Sequence, residues 1–88
     1  MTFEKLEFYP RKVVSGKQAR YTFPNGYGIS VIDGYGTYSR KGTYEVGITY
    51  EDHLTYNTPL TNDVLADQTP EEINEILAII EKWSPNQY

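Results

Sequence analysis

The chain has 88 residues, 12 acids against 8 Lys and Arg, nine tyrosines and no cysteine. That length makes one small domain with a modest core; the lack of thiols excludes a disulfide framework and a thiolate metal site. No run of about 18 apolar residues occurs, so no membrane span is expected, and the start Met1-Thr2-Phe3-Glu4 shows no signal-peptide pattern, which together point to a cytoplasmic protein.

The net charge of −4 is unevenly spread. Residues 1–42 hold seven Lys and Arg against three acids, whereas residues 43–88 hold Lys82 alone against nine acids. Such an asymmetry can steer a partner. The simpler reading is that the two halves neutralise each other within the fold.

Residues 1–17 form an N-terminal segment, a strand or a turn, expected to pack on a sheet through Phe3, Leu6 and Phe8. Pro10 interrupts it, since the residue before proline is pushed out of the helical region. Residues 18–88 read as a single small α+β domain. In the first hairpin, Ala19, Tyr21 and Phe23 alternate with polar residues, as do Tyr27, Ile29 and Val31. The loop Pro24-Asn25-Gly26 suits a type I turn followed by a left-handed residue. It pairs Phe23 with Tyr27, Tyr21 with Ile29 and Ala19 with Val31, placing six apolar residues on one face.

Asp33-Gly34-Tyr35-Gly36-Thr37-Tyr38-Ser39-Arg40-Lys41-Gly42 reads as an exposed loop. Its tyrosines, Gly and Ser suit protein recognition, so Tyr35, Tyr38, Arg40 and Lys41 are the candidate partner-binding residues. The same rings beside Arg and Lys also suit base stacking, although the acidic balance of the whole chain favours a protein partner.

The second hairpin joins Tyr44, Val46, Ile48 and Tyr50 to Leu54 and Tyr56. Keeping all of them on the core face requires a three-residue loop, Glu51-Asp52-His53, with His53 left-handed. Gly28 and Gly47 fall on the outer face and mark close approach by something else; the expected visitor is the N-terminal segment. Residues 57–68 read as an irregular connection, with Leu60, Val64 and Leu65 tucked onto the core. A helix then starts at Thr69, with Pro70 at its first position and Glu72 completing a capping box. Ile73, Ile76, Leu77, Ile80 and Trp83 form its apolar stripe, widened by Ile79.

The assembly expected is α+β: an antiparallel sheet of two hairpins, about four strands, packed on one C-terminal amphipathic helix. The glycine patterns lack the helix start and the Lys-Ser/Thr that nucleotide motifs require. His53 stands without a second histidine and reads as a turn residue. No catalytic set, metal site or cofactor is called for.

The segment Tyr21-Thr22-Phe23-Pro24-Asn25-Gly26-Tyr27-Gly28-Ile29-Ser30-Val31 resembles a group of small proteins encoded by tailed bacteriophages and prophages. The likeness continues through Gly36-Thr37-Tyr38, Thr43-Tyr44-Glu45 and residues 56–64 to the acidic helix, covering roughly residues 20 to 83. It implies a phage context and carries over no functional residue. The function expected is a non-enzymatic phage accessory protein that binds a host or phage protein, inhibition of a host defence or host factor being one form. A nucleic-acid module using the basic half and a self-associating assembly component are the alternatives.

Overall fold

The computed structural model describes residues 1–11, 16–33, 42–60 and 63–88. Strands β2 (Lys17–Thr22) and β3 (Tyr27–Asp33) form the first hairpin in the expected register, with Tyr21 opposite Ile29 and Ala19 opposite Val31. The Phe23 N–H donates to Tyr27 O at 2.7 Å, the Gly26 N–H returns to Phe23 O at 2.9 Å, and Gly26 takes φ +91°. Ala19, Phe23, Tyr27, Ile29 and Val31 are buried together.

Strand β4 (Tyr44–Tyr50) pairs antiparallel along β3, from Tyr27 opposite Tyr50 to Ile32 opposite Glu45. The two hairpins therefore meet through β3 and β4, an order that hairpin patterning alone left open. The short strand β1 (Tyr9–Pro10) flanks β2, and β5 (His53–Leu54) flanks the end of β4. Strand β6 (Leu65–Gln68) pairs with the beginning of β4. The α+β class holds, and among the described residues the antiparallel sheet has six strands, two of them two residues long, where the sequence predicts about four.

Residues expected to be irregular thus supply a strand. Leu65-Ala66-Asp67-Gln68 gives no clean alternation, Asp67 has φ +58°, and the ladder shifts register between Tyr44 and Val46. Leu60 and Leu65 pack against the core. Val64 instead lies towards Gly47.

Helix α1 (Pro70–Glu81) begins with the expected capping box: Glu72 N–H donates to Thr69 Oγ1, and Thr69 N–H donates to the Glu72 carboxylate. Ile73, Ile76, Leu77, Ile80 and Trp83 are buried, whereas Ile79 is 44% exposed and does not widen the stripe. Burying each large aliphatic side chain contributes about 1.5–3 kcal/mol, against about 1 kcal/mol for an N-cap. The stripe therefore holds the helix, and the cap sets where it begins.

The other end of α1 has no basic residue in its last turn, and Trp83-Ser84 stands where a terminating glycine often sits. Its carbonyls are met from the first hairpin. Asn25 Nδ2 donates to Ile80 O at 2.9 Å and to Trp83 O at 2.8 Å, while Asn25 Oδ1 accepts from Tyr27 N–H at 2.8 Å. The Tyr27 ring lies edge-on to Trp83 at 5.1 Å, and Tyr88 lies edge-on to Trp83 at 4.9 Å. Tyr27 Oη accepts from the Tyr88 N–H at 2.8 Å. The Phe-Pro-Asn-Gly-Tyr-Gly segment is thus a clasp on the C-terminal end of the helix.

The N-terminal segment starts with a 3₁₀ turn, Phe3–Lys5. Contrary to the expectation from Gly28 and Gly47, its rings do not visit the outer face. Phe3 and Phe8 lie 5.0 and 5.8 Å from the Tyr44 ring, on the helix side of the sheet, and the Phe3 N–H donates to Asn74 Oδ1. Leu6 enters the core. An apolar segment gains more by extending a core than by covering a polar sheet face.

Candidate partner-binding surface

Tyr35, Tyr38, Arg40 and Lys41 lie outside the described residues. Their flanks are Asp33, at the end of β3, and Gly42, which precedes β4.

The second hairpin supplies a surface that sequence patterning missed. Its register pairs Tyr50 with His53 and Thr49 with Leu54, around a two-residue turn at Glu51 and Asp52. These two residues, not His53, take positive φ, +49° and +68°. This correction turns Leu54 to the outer face. Twist explains it: a turn with both central residues left-handed matches the twist of paired strands, whereas the three-residue alternative has only the burial of Leu54 and Tyr56 in its favour. Both stay about half exposed, at 48% and 47%.

Two further contacts hold that turn. The Glu51 N–H donates to Gly26 O at 2.8 Å. Arg20 crosses the outer face from β2, its guanidinium donating to Asp52 O at 2.8 Å and approaching the Asp52 carboxylate at 3.2 Å. An exposed pair of this kind contributes about 0.2–1 kcal/mol at most. Its larger effect is to fix the position of a cation on the sheet.

The outer face is otherwise closed by side chains. Gln18 Nε2 donates to Ser30 Oγ at 3.0 Å, and a Leu54 methyl lies 2.7 Å from where a Cβ on Gly47 would stand. Gly28 is approached by the backbone of β2 at Tyr21 and Thr22. The visitors expected at both glycines are therefore internal: a neighbouring strand and the chain's own Leu54. Leu54 lies on this surface over Gly47, and the half-exposed Tyr56 follows two residues on.

At the opposite end of the sheet, burial raises the Tyr44 phenol above its ordinary pKa, and the negative charge of Asp33 adds to the shift. An acid whose pKa is raised by folding stabilises the protein while it is protonated. That contribution is complete below about pH 10, the ordinary tyrosine value, and is lost as pH rises through the raised one. Urea unfolding at neutral and at strongly alkaline pH should therefore show a smaller alkaline loss in Tyr44→Phe than in the parent. An equal loss in both would assign the alkaline sensitivity to other groups.

Among the described residues, no helix is long and apolar enough to cross a membrane. Comparison with known proteins gives no match to a family model, a curated protein or a solved structure, and the reading of this surface rests on its own geometry.

Proposed function

We propose that this chain is a non-enzymatic accessory protein that acts by binding another protein, in the bacteriophage context its hairpin segment resembles. The observation that supports this reading is the half-exposed Leu54 on the outer sheet face, followed two residues on by the half-exposed Tyr56. Leu54 and Tyr56 remain outside a core that takes apolar residues from β2, β3, β4, β6 and α1. An aromatic ring and a fixed arginine are residue types that anchor protein interfaces. The partner proposed is a host or phage protein in the bacterial cytoplasm, with inhibition of a host factor as the form of action.

The test is affinity capture of the tagged protein from host lysate, with and without nuclease, followed by the same capture with Leu54→Ser/Tyr56→Ser. A single protein retained after nuclease by the parent, and lost by about tenfold or more in the double variant, is the expected result; an aromatic anchor alone is commonly worth about 2 kcal/mol. Alanine at Tyr35, Tyr38 and Arg40 tests the glycine-rich loop separately. Capture that disappears with nuclease would replace the protein partner by nucleic acid.

A further inference from the structure

Among the described residues, the first hairpin leaves part of one strand edge open. In the β2–β3 ladder, Phe23, Tyr21 and Ala19 direct their backbone groups towards β3, as the Phe23 to Tyr27 bond shows. Gly16, Gln18, Arg20 and Thr22 therefore point the other way, consistent with the Arg11 N–H donating to Gly16 O at 3.0 Å. Strand β1 pairs only with Lys17 and Gln18. Upstream of Tyr9 the chain leaves the edge, carrying Leu6 and Phe8 to the core. The outward N–H and C=O groups of Arg20 and Thr22 take no backbone partner among the described residues.

At Arg20 and Tyr21 this edge borders a cleft of about 260 Å³, with Thr22 just beyond it in sequence. Arg20 and Tyr21 form one wall, and Met1, Lys5, Leu6 and Glu7 form the other. Open strand edges invite pairing by another chain, and peptide-binding domains use them to add a strand. A slot walled on both sides admits one extended segment and keeps out the broad edge of a second copy of this sheet. Side chains of an added strand alternate between its faces. One set meets Tyr21 and Leu6, and the other passes the cations Lys5 and Arg20. Lys5 is exposed and makes no ion pair among the described residues.

We infer that the Arg20–Thr22 edge of β2 binds an extended segment of a partner protein by strand addition, with an apolar residue facing Tyr21 and an acidic residue facing Lys5. This rests on the protein-binding reading and names the class of partner segment.

The test is panning of a random octapeptide library on the full chain, followed by amide-shift titration with the enriched peptides. Enrichment of alternating apolar and acidic sequences is expected, with shifts centred on Arg20 and Thr22. Thr22→Pro removes an N–H that no ladder bond uses among the described residues, and should weaken binding by about tenfold or more, the cost of leaving a main-chain acceptor of the peptide unmet. Thr22→Ala keeps that N–H and should bind as the parent does. Should the proline variant fail to fold, Lys5→Glu carries the test, with a several-fold loss expected for acidic peptides. No enriched peptide, a footprint elsewhere, or undiminished binding by Thr22→Pro or by Lys5→Glu would overturn the assignment. A lysate protein captured equally by parent and Thr22→Pro would leave protein binding standing and remove this edge from it. Peptide binding at the edge with no protein captured would do the reverse.

Discussion

Replacing Asn25 with alanine should lower the unfolding free energy by about 2–3 kcal/mol, the cost of leaving part-buried polar groups without partners. Three hydrogen bonds disappear together: two given by Nδ2 to Ile80 O and Trp83 O, and one accepted by Oδ1 from Tyr27 N–H. Ile80 O keeps the Trp83 N–H at 3.1 Å, so the main loss falls on Trp83 O and on the turn. A domain of this length holds only about 4–13 kcal/mol in total, and this side chain carries a sizeable share of it. Asn25→Asp should cost more than Asn25→Ala at neutral pH. It is nearly isosteric, but a carboxylate has no hydrogen for the two carbonyls and faces them with like charge. Trp83, the single tryptophan, lies against this contact and reports unfolding by fluorescence. Equal midpoints for Asn25→Ala and the parent would show that the helix end does not need the hairpin.

Gly28→Ala should be at least as damaging, by about 3 kcal/mol, the upper part of the range for forcing volume into a packed site. A Cβ there would collide with the Tyr21 carbonyl oxygen, and would stand 2.9 Å from Thr22 Cα and 2.8 Å from Thr49 Oγ1. The first obstacles are backbone, so relief requires β2 and β3 to separate and their ladder to weaken. Gly47→Ala is the control. Its new methyl would meet Leu54 Cδ2 at 2.7 Å, the far end of a half-exposed side chain that can turn away. Its loss should stay at about 1 kcal/mol, the centre of the range for single substitutions. Denaturant midpoints of the two variants check the contrast. Similar losses at both sites would mean that β2 can yield as easily as a leucine methyl.

These two glycines show how far sequence reading reaches in this chain. That each marked a close approach was legible, because a glycine inside an alternating strand weakens it without a compensating contact. What approached was not legible, since the Tyr21 carbonyl and the Leu54 methyl arrive through strand pairing. The first hairpin register and the helix start were readable for a different reason. Pro24, Asn25 and Gly26 set their turn by local dihedral preference, and Thr69, Pro70 and Glu72 close a capping box within four residues. Those choices are made by short-range physics before any packing exists.

The second hairpin was decided by tertiary structure. Its local sequence permits two loops, and apolar patterning favours the one that would bury Leu54 and Tyr56. The folded chain takes the other, because strand twist favours the two-residue turn and Arg20 and Gly26 hold it from 32 and 25 residues away. Gly47 leaves the space into which Leu54 turns. The surface proposed to bind a partner follows from that choice and was invisible to a rule that sends apolar residues inward. Strand β6 likewise exists because β4 has an unpaired edge to satisfy, a need that residues 65–68 do not announce. Asn25 is the clearest division. Its place in a turn follows from the chain around it, whereas its second task, closing a helix 55 residues downstream, exists only once hairpin and helix have met.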